Sequence, residues 1–365
     1  MKPDESKQTL STQPGVEQPP SISREQASFY QRAKRRRLSP DQYLEGILRR
    51  DRAVLAQAIT LIESTRPEDE AASLDILERC LPHCGASLRV GITGVPGVGK
   101  STFIETLGTY LTRARGETLA VLAVDPSSEI SGGSILGDKT RMEKLAVDER
   151  AFIRPSPSRG TVGGVARRTR EAMLLCEAAG YRNIFIETVG VGQSETAVHA
   201  MVDFFLLLML AGAGDELQGL KRGIIEMTDL VAIHKADGDN RKPAERARRD
   251  YENALHFLLP PASGWTPRVV TCSSVTGDGI AAIWDTVLEH HEFTRSNGYF
   301  AERRRRQLRR WLHESIDHGL RDDFRRDPVV ENQLPEYLQQ VEAGRVSSPR
   351  AAQLLLDLYR THRKA

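Results

Sequence analysis

The stretch Arg89-Val90-Gly91-Ile92-Thr93-Gly94-Val95-Pro96-Gly97-Val98-Gly99-Lys100-Ser101-Thr102 decides the fold of this 365-residue chain. It predicts a strand, then a G-x-x-x-x-G-K-S loop, then a helix over Phe103 to Arg113; a chance glycine-rich turn would not be framed in this way. Glycines let backbone amides and the helix N-terminus approach phosphate oxygens closely. Lys100 is expected to bridge the outer phosphates and Ser101 to ligate Mg²⁺. The predicted phosphate contacts are Gly94, Val95, Pro96, Gly97, Val98, Gly99, Lys100, Ser101 and Thr102.

Short apolar runs alternate with amphipathic stretches from Leu88 to about His290. Runs that are apolar throughout are typical of a parallel sheet covered on both faces. We therefore predict a doubly wound, mainly parallel α/β fold. The predicted strands are Leu88 to Ile92, Leu119 to Val124, Ala151 to Ile153, Asn183 to Thr188, Asp203 to Leu210, Leu230 to Ile233 and Arg268 to Cys272.

A second signature indicates which base the site selects. Lys235 and Asp237 form a Lys-x-Asp pair directly after a predicted strand, downstream of the phosphate loop. A carboxylate there accepts hydrogen bonds from the exocyclic amine and ring N–H of guanine, whereas adenine offers neither, and the lysine stem can cover the base plane. The pair therefore favours GTP over ATP. Further base contacts are expected from His234 and, through backbone N–H groups, from Ser273, Ser274 and Val275.

Acidic residues near other strand ends are candidates for magnesium binding and catalysis. Glu187 and Gly190 close one strand, where the carboxylate can hold Mg²⁺ through water and the glycine amide can contact the terminal phosphate. Asp125 follows another strand, and Asp138 lies beyond a glycine-rich stretch. Either aspartate could orient the attacking water or hold the outer shell of Mg²⁺. Glu187 as an ordinary strand-end carboxylate and Asp138 as a helix N-cap remain the alternatives.

The chain divides into four predicted regions. Residues 1–40 are rich in Pro, Ser, Gln and charge and are expected to be a flexible tail. Residues 41–86 carry Leu44, Leu48, Leu55, Ile59 and Ile62 at helical spacing, and Pro67 begins a further helix. Residues 87–296 form the nucleotide-binding domain. Residues 297–365 form a charge-rich helical extension, either a solvated face or an arm for dimerisation or partner docking, whose apolar stripe is Ala352, Leu355, Leu358 and Tyr359.

Composition narrows the classes of partner. Lys and Arg number 51 against 49 Asp and Glu, a formal charge of +2, so no strong overall field attracts nucleic acid or an anionic membrane. The basic patches at Arg32, Lys34 to Arg37 and Arg303 to Arg306 lack interleaved aromatic stacking groups. The longest apolar run, Phe204 to Ala213, is about half the length that spans a bilayer. With no secretory signal segment, we expect a cytoplasmic protein that binds neither nucleic acid nor membrane.

The four cysteines form no C-x-x-C pair. Cys80 and Cys84 can share a helix face, but no matching cluster of His or Cys completes a metal site. We therefore predict that Cys80, Cys84, Cys176 and Cys272 are core thiols.

These motifs together resemble the MeaB/ArgK-type GTPases, SIMIBI-class proteins that chaperone cobalamin-dependent acyl-CoA mutases. The resemblance spans roughly residues 40 to 295. It rests on the phosphate loop, on Val124 to Ser128, Gly132 to Met142, Arg154 to Gly160, Glu187 to Glu195 and Gly212 to Lys221.

The resemblance implies a homodimer with helical extensions, low intrinsic GTP hydrolysis, and activation by a mutase such as methylmalonyl-CoA mutase. It implies Mg²⁺ with GTP or GDP in this chain and cobalamin only on the partner. Lys100 and Ser101 then contact phosphate and Mg²⁺, and Asp125, Asp138 and Glu187 belong to the magnesium and switch network. The implied switch and partner-coupling residues are Gln193, Asp215, Gln218 and Lys221.

One departure from the family pattern affects the base site. His234 stands where members usually have an Asn that bonds the guanine ring nitrogen and ties the base loop to the phosphate loop. A histidine could donate the same bond, or could simply be tolerated.

Other functions fit the sequence less well. A metallochaperone GTPase, which delivers a metal ion, would be expected to carry a His-rich tract or paired cysteines, and this sequence has neither. A small-molecule kinase would not need the guanine-selecting pair or a hydrolytic switch.

Overall fold

The computed structural model describes residues 38–64, 66–124, 142–155, 162–188, 194–212 and 222–363. Seven strands form one sheet in the order β3-β2-β4-β1-β5-β6-β7, and all neighbouring strands pair in parallel. This confirms the predicted doubly wound α/β class. The strands are β1 Leu88–Gly94, β2 Leu119–Val124, β3 Ala151–Pro155, β4 Asn183–Thr188, β5 Phe204–Leu210, β6 Leu230–His234 and β7 Arg268–Thr271.

The sheet is buried on both faces because successive side chains of its strands enter two different cores. In β5, Phe205 and Leu207 face one core, whereas Phe204 and Leu206 face the other. The helices are α1 Pro40–Leu48, α2 Arg52–Ile62, α3 Pro67–Cys80, α4 Lys100–Thr109, α5 Glu143–Ala146, α6 Val162–Ala178, α7 Ser194–His199, α8 Arg222–Ile225, α9 Arg241–His256, α10 Ile280–Ser296, α11 Tyr299–Arg326, α12 Pro328–Glu342 and α13 Ser348–His362.

The helical region before the sheet is divided differently from the prediction. The apolar spacing suggested one helix ahead of Pro67, but the chain breaks after Leu48. Arg50 adopts a left-handed φ of 59°, and the side chain of Asp51 accepts hydrogen bonds from the first turn of α2. In α1 the buried residues are Tyr43 and Ile47.

The region after α10 consists of the helices α11, α12 and α13. Along α13, Leu355 is buried, Leu358 and Tyr359 are half-buried, and Ala352 is exposed. A second, unpredicted apolar stripe lies on the 28-residue helix α11 and is largely exposed. It consists of Leu308, Leu312, Ile316 and Leu320, whose exposed fractions lie between 49% and 62%.

The basic run Arg303 to Arg306 is engaged in ion pairs. Arg303 and Arg304 are paired with the buried carboxylates of Asp229 and Asp203, respectively. The exposed Arg305 and Arg306 pair with Glu302 in the same helix.

All four cysteines are free thiols. Cys80, Cys176 and Cys272 are buried and Cys84 is half-buried, in agreement with the prediction of core thiols. Burial raises the pKa of Cys80 to about 11 and that of Cys272 to about 12.

Among the described helices, none has both the length and the apolar character needed to cross a bilayer.

Candidate nucleotide-binding site

The phosphate loop, residues 94–101, leaves the carboxyl end of β1 and runs into α4. Gly94 has φ of 154°, and a Cβ at this position would lie 2.4 Å from the carbonyl oxygen of Leu208 in β5. Gly97 and Gly99 adopt left-handed φ values of 77° and 94°. These backbone conformations require glycine. The loop is therefore shaped by its glycines to curl back over the N-terminus of α4, where amide groups can meet anions.

Lys100 and Ser101 begin α4 and face the end of β4. The ammonium Nζ of Lys100 donates to the carbonyl oxygens of Gly94 at 2.8 Å and Val95 at 3.3 Å. Burial lowers the pKa of Lys100, while the charges of Glu187 and Glu195 act in the opposite direction. The lysine side chain therefore bends back onto the start of the loop that would enclose a phosphate tail.

The residues around Ser101 fit a magnesium ion. Its hydroxyl Oγ lies 3.2 Å from Oε1 of Glu187, whose strand position pairs with Ile92 next to the phosphate loop. Mg²⁺ prefers oxygen ligands and is usually held by one or two protein groups together with phosphate and water. Ser101 and Glu187 can supply those protein groups. In the described part of the chain, no cluster of three or more His, Cys, Asp or Glu side chains has the arrangement of a metal site.

The first base loop, residues 234–237, continues β6 and contacts the phosphate loop. Lys235 adopts φ of 58°, and its ammonium donates to the carbonyl oxygen of Gly97 at 2.9 Å. The backbone carbonyl oxygen of Lys235 accepts a hydrogen bond from the side-chain amide of Asn240 at 2.6 Å. The lysine stem therefore lies beside the phosphate loop, in position to cover a base plane.

The second base loop, residues 273–275, follows β7 and braces Asp237. The hydroxyl of Ser273 donates to Oδ2 of Asp237 at 2.5 Å and accepts from the amide of Val275 at 3.1 Å. The Asp237 carboxylate has two oxygens with several acceptor positions, so it retains capacity for a ligand. The Val275 amide, one of the predicted donors to guanine, is engaged within the loop.

His234 lies between the phosphate loop and the second base loop. Its ring nitrogens Nδ1 and Nε2 are each 2.7 Å from a partner, the carbonyl oxygen of Val98 and the hydroxyl of Ser274. Only 2% of the residue is exposed. Burial lowers the pKa of His234; the bond to Val98 opposes this shift, and the charge of Lys235 adds to it. The ring is therefore neutral near pH 7.

The structure brings together most of the predicted site at the carboxyl edge of β4, β1, β6 and β7, where doubly wound sheets bind ligands. The remaining predictions lie outside the described residues. They are Asp125, Asp138, Gly190, Gln193, Asp215, Gln218 and Lys221.

Two features of the site were not predicted. Glu195, in the first turn of α7, is only 1% exposed, and its charge raises the pKa of Lys100. Its signal in the sequence is an acidic residue at the start of a helical pattern that follows a glycine-containing stretch. The buried hydroxyls of Thr93 and Thr188 also bond at 2.8 Å, joining the ends of β1 and β4.

Comparison with known proteins agrees with this geometry. Residues 55–328 match the family model "Methylmalonyl Co-A mutase-associated GTPase MeaB". GTPase ArgK of Escherichia coli is 51% identical over 270 residues, covering 74% of this chain and 81% of ArgK. The Mus musculus protein "Methylmalonic aciduria type A homolog, mitochondrial" is 46% identical over 331 residues, covering 88% of this chain and 80% of the mouse protein.

A solved structure shows the same architecture. The crystal structure titled "LAO/AO transport system kinase" superposes with a TM-score of 0.68 at 38% identity, covering 88% of this chain and 97% of that one. The family match covers well over half of the chain, including the phosphate loop and both base loops. The chain therefore belongs to the MeaB family of GTPases.

Proposed function

We propose that this GTPase is a chaperone for a cobalamin-dependent acyl-CoA mutase of the methylmalonyl-CoA mutase type, and that GTP hydrolysis gates loading, protection or reactivation of the mutase cofactor. The observation that carries the proposal is the convergence of the phosphate loop, Glu187 and the Lys235/Asp237 pair at one sheet edge, in a chain of the mutase-associated family. The cobalamin would belong to the partner, and we propose a cytoplasmic setting.

The roles of the site residues in the proposal follow from their positions. Lys100 binds the outer phosphates, and Ser101 with Glu187 holds Mg²⁺, which would neutralise charge on the phosphates when bound. Lys235 and Asp237 hold the guanine, with Ser273 fixing the Asp237 carboxylate. Asp125 or Asp138 orients the attacking water, and Gly190 contacts the terminal phosphate. Gln193, Asp215, Gln218 and Lys221 transmit the nucleotide state to the mutase.

The chaperone proposal is tested by phosphate release from GTP in magnesium buffer, with and without purified cobalamin-dependent mutases from the same organism. We expect a mutase carrying cobalamin to raise the hydrolysis rate, and an unrelated enzyme without cobalamin to leave it unchanged. If none of these mutases binds the protein or alters its rate, the chaperone role fails and the GTPase activity stands.

Asp237→Asn is expected to move nucleotide preference from GTP towards XTP. The amide can donate to the oxygen that xanthine carries where guanine has its amine, while its carbonyl can still accept from Ser273. Competition binding with the two triphosphates measures the change. Asp239→Asn, an exposed substitution two residues further on, is the matched control and should keep GTP preference. Retention of GTP selectivity by Asp237→Asn would contradict the base-reading role.

We also propose that the protein is a homodimer in which α11 takes part in the interface. Its exposed stripe of Leu308, Leu312, Ile316 and Leu320 follows one helix face at i,i+4 spacing. An uncovered apolar stripe of this length is typical of an association surface.

Ile316→Asp is expected to convert the dimer largely to monomer, because a buried, unpaired carboxylate at the interface would be strongly unfavourable. Light scattering after size-exclusion chromatography gives the mass. Arg321→Asp, at an exposed position on the opposite side of α11, introduces the same side chain and should leave the mass unchanged. A wild-type protein that is monomeric at micromolar concentration would refute the proposed dimer.

A further inference from the structure

His234 is held by two hydrogen bonds that use both nitrogens of its ring. One partner, the backbone carbonyl of Val98, can only accept, so Nδ1 must carry a proton and donate to it across 2.7 Å. In the neutral ring Nε2 is then an acceptor, and the hydroxyl of Ser274 donates to it across 2.7 Å. If the ring were charged, Nε2–H would donate to the same hydroxyl oxygen. In either state no ring N–H is left for a ligand.

Packing fixes this orientation of the ring. His234 is 2% exposed and meets Phe103 edge-to-face, with ring centroids 5.9 Å apart. On its other side, a Cβ added to Gly99 would lie 3.1 Å from Cε1 of the imidazole. The ring therefore fills the space between the phosphate loop and α4, and rotating it would break both bonds within a packed site.

An asparagine at this position would have a different hydrogen-bonding capacity. Its amide carries two N–H donors and one carbonyl acceptor. One donor can meet the carbonyl of Val98, and the second donor stays available to an acceptor on the base. The amide carbonyl lies nearer the backbone than Nε2 does, so it reaches Ser274 only if the second base loop shifts. The histidine links both loops but offers no N–H donor to a ligand.

From this geometry we infer that His234 is a positioning residue that fastens the phosphate loop to the second base loop and makes no hydrogen bond to N7 of guanine. The inference rests on the proposed GTP site and deepens it. It assigns base selection to the edge of guanine that faces Asp237, and not to the imidazole edge that carries N7. The ligand class that this site tolerates then includes purine nucleotides altered at N7.

The test compares GTP with 7-deaza-GTP, in which a C–H group replaces N7. For the wild-type protein, calorimetry in magnesium buffer should give dissociation constants for the two triphosphates within about twofold of each other, less than the effect of one net hydrogen bond. His234→Asn should acquire a preference for GTP over 7-deaza-GTP of roughly three- to tenfold, the range for one such bond. A wild-type preference of threefold or more, the lower end of the range for one such bond, would overturn the inference, and this measurement needs no variant to fold.

The positioning role has its own readout. His234→Ala should weaken binding of GTP and 7-deaza-GTP by the same factor, on the order of tenfold or more, because both links to the loops are lost. Equal wild-type and His234→Ala affinities for both triphosphates would overturn that role. Ser274→Ala removes only one of the two links. It should therefore weaken binding of both triphosphates to a smaller degree, without creating a preference for GTP over 7-deaza-GTP. If wild-type protein bound neither triphosphate, the proposed GTP site itself would fail, a result distinct from either outcome above.

Discussion

Lys100→Ala is expected to lower the affinity for GTP by between about 30-fold and a few thousand-fold, the range for removing one partner of a desolvated charge pair. The ammonium of Lys100 already lies 2.8 Å from the carbonyl of Gly94, inside the curl of the phosphate loop. A triphosphate tail bound within that curl would lie beside this charge. Calorimetry with GTP and GDP in magnesium buffer measures the effect, and GTP should lose more than GDP because it carries the additional phosphate.

A matched control separates loss of this contact from loss of positive charge in general. Lys242 is exposed near the start of α9, outside the phosphate and base loops, and Lys242→Ala should leave both affinities unchanged. Burial lowers the pKa of Lys100, so its charge is less favourable in the fold than in water, and loss of that charge should not by itself destabilise the unliganded fold. A Lys100→Ala protein that is folded and binds GTP with the wild-type dissociation constant would contradict the phosphate-loop assignment.

The sheet and the phosphate loop were predictable because their signals are local. Strands buried on both faces are continuously apolar, and a loop such as Gly94 to Ser101 needs specific residue types at fixed spacing. The parallel sheet then brings strand ends together, so Lys235 and Asp237 fall beside a loop that precedes them by more than 130 residues. The residue pattern of each segment and the topology of the sheet therefore indicate the same location for the site.

Other parts of the molecule depend on contacts between distant segments, which spacing along the chain does not reveal. Apolar periodicity did not reveal the break at Arg50, because Leu44 and Leu55 keep nearly the same phase across it. The role of His234 depends on where Val98 and Ser274 lie, 136 and 40 residues away. The apolar stripe of α11 was not recognised in the sequence, because charged residues predominate around it.

Arg304 is the clearest case of a residue whose importance emerges only in three dimensions. It stands in a run of four arginines, yet its guanidinium donates to both carboxylate oxygens of Asp203, at 2.9 and 2.7 Å. It also donates to the carbonyl oxygens of Gly85 and Ser87 at 2.7 and 2.6 Å. The side chains of Asp203 and Arg304 are 2% and 14% exposed. This cluster fastens α11 to the start of β1 and β5.

Arg304→Ala is expected to lower the free energy of unfolding by roughly 3–5 kcal/mol, because it leaves Asp203 buried without its main partner. Urea or thermal unfolding measures the loss. Arg305→Ala is the matched control: the neighbouring arginine pairs with Glu302 on the surface, where both side chains are largely exposed, and its removal should change stability by less than about 1 kcal/mol. Equal stabilities of the two variants would contradict the anchoring role of Arg304.

The pH dependence of this loss gives a further test of its cause. Burial alone would raise the pKa of Asp203, but Arg304 and Arg89 outweigh it and hold that pKa below its ordinary value. The stabilisation is therefore fully present above the unfolded-state pKa of about 3.9 and is lost as pH falls through the lower folded-state value. In Arg304→Ala, the effect of burial on the pKa of Asp203 is no longer offset by Arg304. Protonation of Asp203 in acid should then relieve part of the cost of burying its unpaired charge. The difference between wild type and Arg304→Ala should thus be large at neutral pH and shrink in acid, whereas a loss of packing alone would be independent of pH.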